Sequence, residues 1–162
     1  MQYFPIAVKL KDRLVVVVGG GAVAERKAKN LLAAGAKVTV ISPEITVSLR
    51  QLARNKHLKL INDVMHKKYL AKANIVIAAT DSLKINAKIS QWAKNNKILV
   101  NVVDQPHLSD FISPAVFNKG RLTVAVNTNG TNPKLSRDLK NFLKRSWDGF
   151  VSYRRRLSKR SS

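Results

Sequence analysis

An α/β fold built on a doubly wound parallel sheet is predicted by three observations. Short runs rich in valine and isoleucine recur along the chain, and most are followed by segments with helical spacing. The strongest runs are apolar throughout rather than alternating, as strands covered on both faces are. The first is Leu14 to Val18, ended by Gly19-Gly20-Gly21. Behind the glycines, Val23, Ala24, Ala28, Leu31 and Leu32 fall on one face of a helix over Val23 to Ala34, and Gly35 is placed to stop it. Lys37 to Ile41 reads as a second strand, broken by Ser42-Pro43. Glu44 to Asn55 fits a helix, and Leu58 to Ile61 a third, weaker strand. Asn74 to Ala79 is the next strand. It ends at Thr80-Asp81-Ser82, where Asp81 or Ser82 caps a helix running to about Asn95. Ile98 to Val103 is a strand ended by Asp104. Leu122 to Val126 is the last one, followed by a turn at Gly130 and a helix opening at Pro133. From about Trp147 the chain reads as a polar, basic tail or helix.

Composition narrows the classes. The 162 residues suffice for one buried core around a sheet. No apolar run approaches the roughly 18–20 residues that span a bilayer. Met1-Gln2-Tyr3-Phe4-Pro5 is not followed by a signal-type apolar segment, so a cytoplasmic location is expected. With no cysteine, disulfides, thiolate zinc sites and a cysteine nucleophile are excluded. No metal site is expected. Thirty Lys and Arg against nine acids give a net charge of +21. That excess suits a polyanionic partner or a strongly solvated surface, and the sequence leaves both open. Sparse aromatics argue against a stacking platform for nucleic acid.

The glycine turn carries the first chemistry. Gly19-Gly20-Gly21-Ala22-Val23-Ala24 reads G-x-G-x-x-A between a strand and a helix. Gly19 permits the tight turn, Gly21 lets the backbone approach a pyrophosphate, and small Ala24 lets helix and strand pack closely. The N–H groups of Ala22 and Val23 lie at the positive helix end, where phosphates bind. This is the fingerprint of a Rossmann-type nucleotide domain, and the cofactor read from it is NAD. The second strand ends at Ser42-Pro43-Glu44, near the place of the acid that holds ribose hydroxyls. Glu44 suits that role or the first turn of the next helix. No arginine follows directly to meet a 2′-phosphate, which favours NAD over NADP.

Ligands of open parallel sheets sit outside the carboxyl ends of the strands. Gly19, Ser42, Thr80 and Asp104 all fall at such ends, so Thr80 joins the cofactor-binding set. Asp81 reads as a helix cap. Asp104, before Gln105-Pro106, suits a catalytic carboxylate or a turn residue, and nearby His107 suits a solvated loop.

Several segments together resemble the precorrin-2 dehydrogenase and sirohydrochlorin ferrochelatase family, the NAD module of sirohaem synthases. They are Gly19 to Lys27, Ala34-Gly35-Ala36, Ile41 to Glu44, Ala78 to Asp81, Asn101-Val102-Val103-Asp104-Gln105-Pro106, Phe111 to Ala115 and Gly130 to Leu135. The resemblance covers about Phe4 to Arg145, and the segments around Asp104 and Pro114 are its most specific parts. It implies NAD-dependent oxidation of precorrin-2 to sirohydrochlorin, with Asp104 as general base. It also implies Thr128, with Asn129 and Gly130, near the substrate, and a homodimer formed in part by the segment after Pro114. Some members insert iron with the same aspartate. Precorrin-2 carries eight carboxylates, which would suit a basic cleft. The loop Asn127 to Asn132 is bulkier here than is usual in the family.

The expected organisation is a nucleotide domain over 1–115, a final strand and helix over 116–146, and a basic tail over 147–162. A non-catalytic NAD-sensing module is the alternative, since it needs the glycine turn but not Asp104. Binding of RNA or DNA rests on charge alone.

Overall fold

A computed structural model describes residues 3–158, with side chains through Arg155. Met1-Gln2 at the start and the Lys159-Arg160 pair of the basic tail lie outside the described residues. The chain forms two compact units: Phe4–Phe111, and a smaller one comprising Tyr3 and the chain from Ile112 on.

The larger unit is built on strands β1 (Leu14–Val18), β2 (Lys37–Ile41), β3 (Lys59–Ile61), β4 (Ile75–Ala78) and β5 (Leu99–Val102). They pair in the order β3-β2-β1-β4-β5, every pair parallel. This is the doubly wound Rossmann arrangement expected from the sequence. Helices α1 (Ala22–Ala33), α2 (Val47–Arg54) and α3 (Leu83–Asn95) connect the strands.

The unbroken valine run of β1 has a direct cause. Val16 and Val18 pack with Val76, Val100, Ile89 and Ala93 on one face. Val15 and Val17 pack with Val38, Val40, Ala24, Ala28 and Leu49 on the other. Val15 to Val18 are all at most 2% exposed, so none of these four positions suits a polar side chain. Ala24 and Ala28 are the buried residues of α1, and their small size lets the helix lie close to the sheet. At the end of α1, Gly35 takes a φ of 80°, the left-handed conformation that releases the chain into β2.

The smaller unit differs from the sequence expectation. Leu122–Val126 is not a further strand of the parallel sheet. It pairs antiparallel with Ala115–Lys119, so these strands, β7 and β6, form a separate two-stranded sheet. Gly120, at φ 57°, turns the hairpin. Helix α4 (Pro133–Arg145) packs on both strands, and α5 (Trp147–Ser158) follows it. Trp147 meets Phe117 edge-on at 6.2 Å between ring centroids and Phe150 at 5.4 Å. Among the described residues, no helix is long and apolar enough to cross a membrane.

Two local expectations are also corrected. Helix α2 begins at Val47, because the Thr46 hydroxyl accepts from the Leu49 N–H and fixes the start there. Glu44 therefore precedes the helix rather than occupying its first turn. Helix α3 is capped by Ser82, whose side chain accepts from the Ile85 N–H, and Asp81 is an exposed residue outside the cap.

Leu49 is the only buried residue of α2. Leu49→Ala is expected to lower the unfolding free energy by about 2–5 kcal/mol in chemical denaturation. Ser82→Ala should cost about 1 kcal/mol, and Asp81→Ala less than about 0.5 kcal/mol. Equal effects at Ser82 and Asp81 would contradict the assigned cap.

Candidate functional site

Parallel pairing puts the carboxyl ends of four strands in one row. Val18 is in register with Ile41 on one side and Ala78 on the other, and Ala78 with Val102. The residues that follow these ends are Gly19, Ser42, Ala79-Thr80 and Val103-Asp104. The polar groups singled out in the larger unit therefore share one edge of one sheet.

The glycine turn is dictated by close backbone contacts. Gly19 has a φ of 120°, and a Cβ there would lie 2.2 Å from the Ala79 carbonyl oxygen. A Cβ on Gly20 would lie 1.8 Å from the Glu44 carbonyl oxygen and 2.8 Å from Ser42 Oγ. The Thr46 N–H also donates to the Gly20 carbonyl at 3.0 Å. Gly20 is thus the residue that the motif reading passed over. Its requirement comes from a loop 24 residues further on, which only the folded chain brings beside it. Gly21 is different: a Cβ there meets nothing within 4 Å.

Gly21 is the N-cap of α1 and supplies no capping side chain, whereas α2, α3 and α4 are capped by Thr46, Ser82 and Asn132. The first N–H groups of α1 consequently face an open position without a protein side chain as acceptor. Such donors at a helix N-terminus suit a pyrophosphate. A dinucleotide fits this cradle.

The other strand ends are locked from within. Ser42 is buried and donates from Oγ to the Glu44 carbonyl at 2.6 Å, so its hydroxyl proton is committed to the loop. Pro43 and Glu44 are exposed, and the Glu44 carboxylate makes no hydrogen bond or ion pair among the described residues. Thr80 Oγ1 donates to Asn86 Oδ1 at 2.7 Å, and Asn86 Nδ2 donates to the Thr80 carbonyl at 2.9 Å. Buried Asn86 of α3 therefore holds the end of β4 in place. An asparagine on the apolar face of a helix was the available signal for it.

A second tie joins α1 to the loop after β2. Glu25 accepts from Thr46 Oγ1 at 2.6 Å and pairs with Lys29 at 2.5 Å. The hydrogen bonds from Lys29 and then Thr46 hold the Glu25 carboxyl at about 2, below its ordinary 4.5.

Asp104 follows β5 at φ 59°, exposed, in a conformation that aspartate tolerates better than most residues. Its neighbourhood includes Lys27 of α1, whose Nζ donates to Asn101 Oδ1 at 3.3 Å. His107 lies exposed in a short 3-10 turn, Pro106–Leu108. Thr128, Asn129 and Gly130 lie in the smaller unit. There Thr128 Oγ1 accepts from the Asn132 N–H and stands 2.9 Å from the Asn132 carbonyl, while Asn129 and Gly130 take φ of 54° and 80°. This turn sets up the start of α4.

A family model described as "Putative NAD(P)-binding" matches residues 6–115. The chain belongs to this NAD(P)-binding family. The match runs from before β1 through the whole parallel sheet to the start of β6, so the family accounts for the glycine turn and all four strand ends. The siroheme synthase of Psychrobacter arcticus is 41% identical over 140 residues, 86% of this chain and 26% of that protein. The siroheme synthase of Methylobacillus flagellatus is 42% identical over 86% of this chain and 30% of its own length. The chain thus spans under a third of these relatives. The solved structure titled "SirC, precorrin-2 dehydrogenase" superposes with a TM-score of 0.78 at 27% identity, covering 97% of this chain and 78% of that one. The family resemblance read from the sequence is borne out.

Two outcomes test this site. Gly20→Ala should destabilise the protein by about 4 kcal/mol or more, because a backbone carbonyl must move. Gly21→Asp should leave unfolding within about 1 kcal/mol of the parent while abolishing NAD binding by calorimetry, since it faces open space and brings negative charge to the helix end. A Gly21→Asp protein that still binds NAD would place the pyrophosphate elsewhere.

Glu25 gives a pH signature. Its folded pKa lies below the unfolded one, so its contribution to stability is present above about pH 4.5 and is lost as pH falls towards 2. Denaturation midpoints followed across that window should fall more steeply in the parent than in Glu25→Gln. Parallel curves would show that the tie adds nothing.

Proposed function

We propose that this chain oxidises precorrin-2 to sirohydrochlorin, with NAD as the hydride acceptor and Asp104 as the catalytic carboxylate. The observation that carries the reading is the register of the sheet. It sets the glycine turn and Asp104 in one row of strand ends, in a chain similar over nearly its whole length to a precorrin-2 dehydrogenase. A module that only sensed NAD would use the glycine turn and leave Asp104 idle.

In this reading Gly19 makes the tight turn, Gly21 keeps a side chain out of the pyrophosphate's path, and the N–H groups of Ala22 and Val23 bind it. Glu44 meets the ribose hydroxyls as a free acceptor, Ser42 and Pro43 shape the loop that presents it, and Thr80 lines the end of β4. The cofactor supplies the hydride acceptor. Asp104 accepts the proton that the tetrapyrrole carbon framework must shed as hydride leaves, or stabilises the positive charge until it does. One hydride and one proton are removed, and no other reactant is required.

Thr128, Asn129 and Gly130 are proposed to meet the substrate. A homodimer is proposed through the smaller unit, because α4 exposes Leu135, Leu139 and Phe142 at helical spacing. A cytoplasmic location suits a reaction that draws on NAD.

Anaerobic incubation with precorrin-2 and NAD, following NADH absorbance, is the direct assay. NAD should bind at least about tenfold tighter than NADP, since an exposed carboxylate at the ribose repels a phosphate. Asp104→Asn should bind NAD within about threefold of the parent while turnover falls by roughly 10²-fold or more. A folded Asp104→Asn variant with near-normal turnover would remove the catalytic assignment and leave only the cofactor site.

A further inference from the structure

Lys27 is unlike the lysines that cover the surface of this protein. It lies in the second turn of α1, partly buried, and its Nζ reaches across to Asn101 Oδ1 at 3.3 Å. Asn101 is 5% exposed, and its Nδ2 donates to the Phe111 carbonyl at 2.9 Å. The amide is thus fixed with its oxygen towards Lys27, so the end of a normally mobile side chain is tethered at β5, three residues before Asp104.

What Lys27 lacks is a counter-ion. Lys29 pairs with Glu25, Lys37 with Asp12 and Lys94 with Asp110. Among the described residues, Lys27 has no carboxylate within ion-pair distance. Burial lowers its pKa from 10.5 to about 8, and repulsion from Arg26 on the same helix adds to this. The Asp104 carboxylate, too far for an ion pair, raises it only in part. A charge removed from water without a partner is costly. A tethered ammonium in that state beside the proposed catalytic carboxylate is suited to receive an anion from outside the chain.

We infer that Lys27 is an anchor for one carboxylate arm of the tetrapyrrole substrate, holding that arm next to Asp104. The inference rests on the oxidation proposed above and adds a specificity-determining residue to it. The ammonium has donors beyond the one given to Asn101. A substrate carboxylate would provide the charge partner that the protein omits, and would place the carbon framework against the carboxylate that takes its proton. A neutral or acidic substrate arm is then distinguished at this point by charge.

The experiment has two arms, so that a failure of the anchor and a failure of the oxidation reading are told apart. In the first, protein labelled at lysine Cε is titrated by NMR, with Lys27→Arg to assign the resonance. Lys27 should titrate near pH 8, and its midpoint should rise by about one unit when uroporphyrin, an octacarboxylate probe, is added. Such a rise corresponds to about tenfold tighter binding to the protonated form. No movement of the midpoint would overturn the anchor, whatever reaction the protein catalyses. In the second, precorrin-2 oxidation is followed in the parent, Lys27→Met, Lys27→Arg and Asp104→Asn. Lys27→Met should raise KM for precorrin-2 at least about tenfold, with kcat within about threefold and NAD affinity within about twofold. In the parent KM should climb above pH 8, and Lys27→Arg, a permanent cation, should abolish that climb. An unchanged KM in Lys27→Met, or the same climb in Lys27→Arg, would overturn the anchor while leaving Asp104 in place. If the parent forms no NADH but the Lys27 midpoint moves with the octacarboxylate, the anchor stands and the oxidation reading falls.

Discussion

Two backbone approaches, one on either side of the first strand's end, hold the cofactor edge of this protein together. Gly19 turns under the carbonyl of Ala79, and Gly20 lies under the carbonyl of Glu44. A Cβ at either position would strike a main-chain oxygen, so neither conflict can be relieved by a side chain moving aside. Through them the ends of β1, β2 and β4 are drawn to one place, and Gly21 is left as the exposed cap of α1. The polar ties follow from the same geometry. Thr46 can cap α2 and bond Glu25 because its loop rests on Gly20, and Ser42 can close on the Glu44 carbonyl because that carbonyl is held there.

Charge at this edge is arranged by omission as much as by contact. The helix proposed to meet the cofactor, α1, is capped by a glycine, which leaves its first N–H groups without a capping side chain and suited to a phosphate. Glu44 stands exposed after β2, where the proposed binding mode puts a ribose. Lys27 is tethered but given no carboxylate, in a chain with only nine acids to distribute. Glu25 lies within the first turn of α1, where its carboxylate is ion-paired with Lys29 and accepts from Thr46 Oγ1. Each omission coincides with a place where the proposed reaction brings a group of its own.

The parallel sheet was legible because its strands are covered on both faces. Valine runs such as Leu14 to Val18 have no polar position to obscure them, and the glycines mark where they end. The hairpin was not legible in the same way. Ala115–Lys119 is short, half-exposed and ends in Asn118-Lys119, so its pairing with Leu122–Val126 shows only in the Gly120 turn between them. In the site, residues at strand ends could be read from sequence, because topology alone assigns them to one edge. Gly20, Asn86 and Lys27 could not. Gly20 and Lys27 are defined by partners far along the chain, Glu44 and Asn101, and Asn86 by the bonds its amide makes to the Thr80 loop six residues before it. The choice between Asp81 and Ser82 as cap was likewise decided by which side chain reaches the Ile85 N–H.

A crystal structure of the protein with NAD bound tests the central claim most directly, because it reads position without relying on turnover. The account predicts the pyrophosphate against the N–H groups of Gly21, Ala22 and Val23, with the adenosine ribose at Glu44 and the nicotinamide end along β4 and β5 beside Asp104. A pyrophosphate away from the Gly21 cap, or a nicotinamide on the far side of the sheet from Asp104, would contradict it.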